Sequence, residues 1–289
     1  GIGDLLDEVV QHFEVGEEDD GDDDVIKVAI IGKPNVGKSL LVNRILGENR
    51  VIVSDIAGTT RDAIDTPFTD GNDKYVLIDT AGIRRKSRVK ENIERYSVIR
   101  AVAAIKRANV CLLVIDAAEG VTEQDKKIAG YSHENGKGMI ILINKWDLIE
   151  KDNRTMNEFT KEIRNELSYI TYAPILFVSA LTGQRMNRIL EEVKKVANQN
   201  SMRTSTGILN EVIGEALLLN QPPSDKGRRL RIFYATQTSI RPPTFVLFIN
   251  DKDLMHFSYL RYIENKIREN FGFEGTPINF ILRQRMGRD

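Results

Sequence analysis

Residues 25–39 read VIKVAII followed by GKPNVGKS, so a run of branched apolar residues leads directly into a glycine-rich loop. The second half matches the pattern G-x-x-x-x-G-K-[ST], in which glycines let backbone N–H groups turn inward around phosphate oxygens. The pattern carries this meaning only between a strand and a helix, and the sequence predicts a strand over 25–31 and a helix over about 38–46. A phosphate-binding site at a helix N-terminus is therefore expected.

Individual loop residues have separate expected roles. Lys38 is predicted to reach the β- and γ-phosphates of a nucleotide and to serve catalysis, and the Ser39 hydroxyl is predicted to bind Mg²⁺. The loop residues predicted to bind nucleotide are Gly32, Pro34, Asn35, Val36, Gly37, Lys38, Ser39 and Leu40.

Apolar runs and helical patterns alternate from residue 25 to residue 200. Runs rich in Val and Ile are typical of strands that are buried on both faces, as in a parallel sheet. The predicted strands span 25–31, 75–78, 110–115, 139–143 and 175–178, and the predicted helices span about 38–46, 91–107, 122–135, 155–168 and 185–198. This alternation predicts a doubly wound α/β domain with a mostly parallel sheet.

Two further segments point to the γ-phosphate. The sequence DTAG follows the second predicted strand, so Asp79 is expected to hold Mg²⁺ through water and the Gly82 N–H to meet the γ-phosphate as part of the catalytic site. The earlier segment GTTRD contributes Thr60, favoured over Thr59. Thr60 is predicted to contact Mg²⁺ and the γ-phosphate only when GTP is bound, which would make this segment a switch.

The segments NKWD and SAL each follow a predicted strand and indicate guanine. The Asp147 carboxylate can accept hydrogen bonds from guanine N1–H and N2–H₂ together, a donor pair that adenine lacks. The stem of Lys145 can lie along the base, and a backbone amide of SAL can bind guanine O6. The residues predicted to contact the base region are Asn144, Lys145, Asp147, Ser179, Ala180 and Leu181.

The sequence does not single out the group that activates the attacking water. Many such GTPases place a Gln after the D-x-x-G glycine, but this chain has Ile83, which cannot orient water. Asn35 could help to hold a K⁺ ion near the β- and γ-phosphates, Arg61 could act as an arginine finger in cis, or a partner could supply the group. The potassium site at Asn35 is the favoured alternative.

Composition excludes several classes of protein. The single cysteine, Cys111, excludes an internal disulfide and a cysteine-cluster zinc site, and the three histidines lack metal-ligand spacing. No run of 18 apolar residues and no secretory signal are seen, so a cytoplasmic protein without a membrane partner is expected. The net charge is −1, but residues 1–24 hold 11 acidic and no basic residues, which leaves the rest at about +10. This positive remainder permits an anionic partner.

The chain ends differ in character from the central α/β region. Residues 1–15 have apolar residues at helical spacing and weakly resemble residues 187–194, so they are predicted to be a helix, which could be the tail of a preceding domain of the same kind. Residues 16–24, GEEDDGDDD, are predicted to be a disordered acidic linker. Residues 201–289 show two helical patterns and three strand patterns in the order αββαβ, which predicts a small α+β domain. Its predicted helices are 206–219 and 257–271, and its predicted strands are 230–236, 245–249 and 277–283.

The pieces GKPNVGKS, AGTTRD, DTAG, NKWD and SAL together resemble the Der (EngA) family of bacterial ribosome-assembly GTPases. That family has two tandem GTPase domains and a KH-like domain, and residues 201–289 look like the latter through RRLRIFYATQT, RPPTFVLFIND and NFGFEGTPI. The resemblance implies a fragment with the second GTPase domain over 25–200 and the KH-like domain over 201–289. It also implies GTP and GDP as ligands, K⁺-stimulated hydrolysis, and the large ribosomal subunit with its rRNA as partner; DNA is not expected.

Two features depart from the expected patterns. Leu40 stands where such phosphate loops usually carry a second Ser or Thr, so a hydroxyl contact to the α-phosphate is lost. The only G-x-x-G of the small domain, residues 272–275, lies between a helix and the last strand, so an RNA-clamping role is not assigned to it. The small domain is instead expected to dock on the GTPase domain or to present Arg283, Arg285 and Arg288 to RNA.

A basic run follows DTAG and could grip RNA phosphate in one nucleotide state, although a solvated loop is equally compatible with it. It consists of Arg84, Arg85, Lys86, Arg88 and Lys90.

The leading hypothesis is a GTP-hydrolysing switch. The alternatives are a nucleotide-gated RNA-binding module with negligible hydrolysis, which Ile83 keeps open, and a GTPase of tRNA modification, against which the small C-terminal domain argues.

Overall fold

The computed structural model describes residues 24–48, 50–53, 65–80, 93–222, 224–225 and 227–285. These residues form two compact units. The first contains residues up to 198 together with 275–277, and the second contains 199–274 with 278–285.

The first unit is built on a seven-stranded sheet in the order β2-β3-β4-β1-β5-β6-β7. Its strands are β1 (Val25–Ile31), β2 (Val51–Val53), β3 (Thr66–Asp70), β4 (Asp73–Ile78), β5 (Val110–Asp116), β6 (Gly138–Asn144) and β7 (Ile175–Phe177). From β4 to β7 the neighbouring strands run parallel, and β2 and β3 add an antiparallel edge. The predicted mostly parallel sheet is confirmed, and the antiparallel edge is new.

Helices cover both faces of this sheet. They are α1 (Lys38–Leu46), α2 (Ile93–Arg107), α3 (Glu123–Glu134), α4 (Thr155–Glu166) and α5 (Arg188–Asn200). Successive β1 residues alternate between two cores because side chains alternate across a strand. Ile30 packs in one core with residues of α1 and α5, and Ile31 packs in the other with residues of α2, α3 and α4. This arrangement is the doubly wound fold that the sequence predicts.

The start of α3 is fixed by a capping box. The Thr122 side chain accepts a hydrogen bond from the Asp125 N–H, and the Asp125 carboxylate accepts one from the Thr122 N–H. This reciprocal capping box satisfies N–H groups that have no partner within the helix. In the part of the chain that the structure describes, no helix is long and apolar enough to span a membrane.

The second unit has two helices and a mixed three-stranded sheet in the order β10-β11-β12. Its elements are α6 (Thr206–Leu219), β8 (Ser224–Asp225), β9 (Arg228–Arg229), β10 (Ile232–Ser239), β11 (Thr244–Ile249), α7 (Phe257–Phe271) and β12 (Asn279–Gln284). β10 and β11 pair antiparallel, and β11 and β12 pair parallel. The predicted αββαβ order is confirmed, and the short hairpin β8–β9 is an addition.

Several predicted features lie outside the described residues. These are the helix over 1–15, all of the acidic segment 16–24 except Asp24, and the residues Thr59, Thr60, Arg61, Gly82, Ile83, Arg84, Arg85, Lys86, Arg88, Lys90 and Arg288.

Candidate nucleotide site

The parallel strands of the first unit end at one edge of the sheet, and the predicted site segments follow those ends. In the register of the sheet, Ala29 lies opposite Ile78 and Asp116 lies opposite Asn144. Ligands of open α/β sheets bind outside the carboxyl ends of the strands. The topology therefore gathers residues that are distant in sequence into one place.

Two glycines of the phosphate loop occupy positions that no other residue could take without strain. Gly32 has φ +140°, and a Cβ there would lie 2.5 Å from the Val114 carbonyl oxygen. Gly37 has φ +100°, and a Cβ there would lie 2.3 Å from Asn144 Nδ2. The loop backbone is therefore packed directly against β5 and β6, and the missing side chain of glycine allows this close approach.

The Lys38 ammonium lies inside the phosphate loop. Its Nζ donates hydrogen bonds to the carbonyl oxygens of Gly32, at 2.7 Å, and Lys33, at 2.5 Å. Burial lowers the Lys38 pKa to about 8, and the negative charge of Asp125 opposes this shift. A partly desolvated ammonium is poised to bind an anion, because phosphate oxygens would restore the favourable environment that burial removes.

Helix α1 begins at Lys38, directly after Gly37, so its N-terminal dipole is directed at the loop. Asn35, Ser39 and Leu40 are exposed at this end of the helix. Asn35 has a left-handed backbone, φ 65°, and its amide oxygen is a hard ligand of the kind that suits K⁺. Leu40 is 43% exposed, so the departure from Ser or Thr removes a hydroxyl without adding to the core.

Asn144 links the phosphate loop to the SAL segment. Its Nδ2 donates to the Val36 carbonyl oxygen at 2.8 Å, and its Oδ1 accepts from the Ala180 N–H at 3.0 Å. Asn144, Val36 and Ala180 are all buried. Asn144 therefore binds the backbone of both loops. Of the SAL amides, one of which is predicted to bind guanine O6, that of Ala180 already has Asn144 as its partner.

Asp147 and Ser179 lie side by side. The Ser179 hydroxyl donates to Asp147 Oδ1 at 2.5 Å and accepts from the Thr182 N–H at 3.1 Å. The neighbouring Trp146 is buried, with its ring centroid 4.5 Å from that of Phe177. This packing fixes the backbone that carries Asp147, and Ser179 fixes one of its two carboxylate oxygens.

Asp116 is a site residue that the sequence analysis missed. It ends β5, is 3% exposed, and its Oδ2 accepts a hydrogen bond from Lys145 Nζ at 2.5 Å. The available signal was an acid at the end of a wholly apolar run, directly before a turn.

Arg44 of α1 was also missed. Its Nε donates to the Ala180 carbonyl oxygen at 3.3 Å and its Nη2 donates to the Leu181 carbonyl oxygen at 2.7 Å. Leu181 itself is 66% exposed, so its contribution to the site is its backbone. A lone arginine on a helix carries no sequence signal for such a contact.

The start of the DTAG segment is held by β3 and its preceding residue. The Asp79 N–H donates to Asp65 Oδ1 at 2.9 Å, and the hydroxyls of Thr66 and Thr80 are 2.8 Å apart. The other Asp65 oxygen forms an ion pair with Arg107 at the end of α2. Asp65 therefore ties the residues that lead into β3 to the first residues of DTAG.

Ser39 and Asp79 supply the donor types that Mg²⁺ prefers. Mg²⁺ usually takes one or two protein oxygens and completes its coordination with phosphate oxygens and water. A hydroxyl in the first turn of α1 and a carboxylate directly after β4 are donors of that kind. Within the described ranges, no group of three or more His, Cys, Asp or Glu residues could hold a metal ion.

The G-x-x-G over residues 272–275 lies between α7 and β12, as predicted. Phe273, inside it, is fully buried in the core, and its carbonyl oxygen accepts from Arg268 Nη1 at 2.7 Å. Phe273 therefore packs this turn against the core, whereas Gly272 and Glu274 are exposed. Arg283 and Arg285 are exposed on and after β12.

Two family matches cover most of the chain. Residues 27–145 match the family described as 50S ribosome-binding GTPase, and residues 203–283 match the family described as KH-domain-like of EngA bacterial GTPase enzymes, C-terminal.

Curated relatives match over the full chain. A GTPase Der of Alkaliphilus oremlandii is 79% identical over 289 residues, and one of Alkaliphilus metalliredigens is 77% identical over 289 residues. The matches cover 100% of this chain and 66% of each relative, so the chain spans just under two-thirds of their length. A solved structure of Era with MgGDPNP and nucleotides 1506–1542 of 16S ribosomal RNA is 24% identical, with a TM-score of 0.46 and coverage of 90% of this chain and 92% of that one.

Proposed function

Because this chain belongs to the Der (EngA) family of GTPases, we propose that it binds GTP and hydrolyses it to GDP and phosphate. The observation that carries the proposal is the pair of Asn144 hydrogen bonds, which join the phosphate loop to the base-recognition segment. A site of this kind holds phosphate and base at a set separation, and Asp147 beside it has the chemistry to select guanine.

The proposed binding residues are those that the sequence analysis names. They are Gly32, Pro34, Asn35, Val36, Gly37, Lys38, Ser39, Leu40, Asp79, Gly82, Asn144, Lys145, Asp147, Ser179, Ala180 and Leu181. Ser39, Asp79 and Thr60 would hold Mg²⁺, which neutralises phosphate charge when bound. Lys38 binds the phosphates as a cation, supported by its position inside the loop.

Hydrolysis requires a further contribution, because Ile83 stands where many such GTPases have a water-orienting Gln. We propose that K⁺ held with the help of Asn35 supplies it. The exposed amide and left-handed backbone of Asn35, within the phosphate loop, support this assignment. Arg61 and an external group are the alternatives that the experiment separates.

The proposed setting is the cytoplasm, with the large ribosomal subunit and its rRNA as partner. The matched families, one described as 50S ribosome-binding and the other as EngA-type KH-like, support it. Residues 25–200 would form the GTPase domain and 201–289 the KH-like domain, with 1–15 as the tail of a preceding domain and 16–24 as linker. Binding of the chain to purified large subunits, compared with GDP and with a non-hydrolysable GTP analogue, tests the partner.

The decisive experiment measures GTP hydrolysis by this chain in KCl and in NaCl at equal ionic strength. Acceleration in KCl alone is expected, together with its loss in Asn35→Ala and its retention in the exposed control Asn157→Ala. If the wild-type chain hydrolyses GTP equally fast in both salts and Arg61→Ala lowers that rate, Arg61 acts as an arginine finger and K⁺ is not the activating group. If GTP binds but is hydrolysed no faster than in buffer, the proposal of a GTP-hydrolysing enzyme is wrong. The alternative of a nucleotide-gated RNA-binding module then remains.

A further inference from the structure

Lys145 has a fixed backbone and a directed side chain. Its φ is 60°, in the left-handed region that is uncommon for a residue with a side chain. The flanking residues hold this conformation, because the Asn144 amide is bonded on both sides and the Trp146 N–H donates to the Val178 carbonyl oxygen at 3.1 Å. The backbone conformation does not by itself determine the rotamer of the long lysine side chain.

Asp116 determines the direction of the Lys145 side chain through a hydrogen bond to its ammonium group. One carboxylate oxygen accepts from the Ala118 N–H at 2.9 Å, and the other accepts from Lys145 Nζ at 2.5 Å. The Asp116 side chain is only 5% exposed, whereas that of Lys145 is 34% exposed. The lysine is thus anchored at its tip by a buried acid and at its base by the backbone, and its stem is left partly open to the site.

A lysine that is already ordered contributes more to ligand affinity than a lysine that must be ordered on binding. A lysine side chain has many accessible rotamers, and ordering such a side chain on binding normally weakens affinity. A carboxylate that orders the stem beforehand removes much of that cost. Packing of the stem against a flat ring needs this order, because the contact depends on the course of all four methylene groups.

We propose that Asp116 is a positioning residue for guanine: it holds the Lys145 ammonium so that the lysine stem covers one face of the base. The inference rests on the proposed function, in which Lys145 lies along guanine. Asp116 does not touch the nucleotide, and it strengthens binding to the plane of the base without reading its edge.

Asp116→Asn tests this with little other disturbance. The amide oxygen can still accept from the Ala118 N–H, and the NH₂ group then faces the Lys145 ammonium and cannot hold it. Dissociation of N-methylanthraniloyl-GDP is expected to become roughly 3- to 10-fold faster. Affinities for GDP and IDP are expected to fall by the same factor, since the base edge is read elsewhere. The matched control is Asp73→Asn, which breaks the Asp73–Lys194 pair of 2.7 Å away from the site and is expected to change neither.

A double-mutant cycle separates positioning from a general loosening of the site. Lys145→Met keeps an apolar stem and removes the ammonium, so in that background Asp116→Asn is expected to have no further effect on the dissociation rate. Independent, multiplying effects of the two changes would overturn the proposal, as would a wild-type dissociation rate in Asp116→Asn. Failure of the wild-type chain to bind N-methylanthraniloyl-GDP at all would instead overturn the proposed function.

Discussion

The side-chain amide of Asn144 donates a hydrogen bond to the carbonyl oxygen of Val36 at 2.8 Å, across 108 residues of sequence. Both groups are buried. The same side chain accepts from the Ala180 N–H. One buried side chain therefore joins the phosphate loop to the SAL segment.

Asn144→Ala is expected to lower the free energy of unfolding by about 1–3 kcal/mol, because it leaves a buried carbonyl and a buried N–H without partners. Affinity should fall for GDP and for GTP alike, since the loop that holds the phosphates loses its support. Chemical denaturation and nucleotide titration measure the two effects.

Asn109→Ala is the matched control for this change. Asn109 Oδ1 accepts from the Lys27 N–H at 2.8 Å, so the variant also removes a side-chain bond to backbone, but at the opposite end of β1. It should destabilise the protein without a specific loss of affinity. Equal loss of affinity in both variants would show that Asn144 matters only through stability.

Asp147→Asn is expected to shift nucleotide preference from GTP towards XTP. The carboxylate accepts two donors from guanine, whereas an amide presents a donor of its own, which suits the additional carbonyl of xanthine. One good hydrogen-bonding pair is worth about 1.5–3 kcal/mol when charged, so the GTP-to-XTP ratio should change by at least about tenfold. Competition between the two nucleotides gives this ratio.

Ser179→Ala controls for the hydroxyl that holds Asp147. It removes the 2.5 Å hydrogen bond and leaves the carboxylate in place. Affinity for GTP should fall while the preference for GTP over XTP is kept. Unchanged GTP affinity in Asp147→Asn would contradict the assignment of Asp147 to the base.

Lys38 is expected to make stability depend on pH in the alkaline range. Its pKa is lowered to about 8 in the folded chain, against 10.5 for an unperturbed lysine, so between these values the unfolded chain binds the proton and the folded chain does not. Stability that comes from this residue therefore rises as pH increases from about 8 to about 10.5, and the charged lysine is a cost at lower pH.

Comparison of Lys38→Met with the wild-type chain measures how much the buried charge of Lys38 lowers the free energy of unfolding. At pH 7 and without nucleotide, the variant should be more stable than the wild-type chain by about 1–3 kcal/mol, and the gap should close as the pH approaches about 10. Thermal melting of both proteins over this range provides the comparison. A constant gap would mean that Lys38 does not titrate between these pH values, and full nucleotide binding by the variant would refute its phosphate role.

Asp65→Asn is expected to destabilise the first unit by about 1–3 kcal/mol. Asp65 has a buried side chain that accepts from the Asp79 N–H and pairs with Arg107, so the neutral amide removes the attraction between this carboxylate and the guanidinium. Hydrogen exchange should show greater opening at the start of the DTAG segment. The more exposed pair Asp73–Lys194 provides the comparison, since Asp73→Asn should change stability by less than about 1 kcal/mol.

Helices and buried strands followed the local pattern closely. The predicted limits of α6 and α7 match the structure residue for residue, because apolar residues recur at helical spacing and each helix is preceded by a polar residue and followed by Asn or Gly. β3 was missed, because TPFTD is mostly polar and contains a proline, and only its place at the antiparallel edge makes it a strand. The hairpin β8–β9 was missed because two-residue strands have no period to detect.

The amino-acid sequence by itself predicted the phosphate loop, the alternation of buried strands and helices, and the guanine-type segments. Each of these depends on residues that are close together in the sequence: glycines at fixed spacing, periodic apolar residues and short adjacent motifs. The tertiary structure decided the contacts that join these parts. Lys145 meets Asp116 across 29 residues and Arg44 meets Leu181 across 137. Such pairs depend on which strands become neighbours in the sheet, and that order is fixed by burial of both sheet faces together rather than by any local pattern.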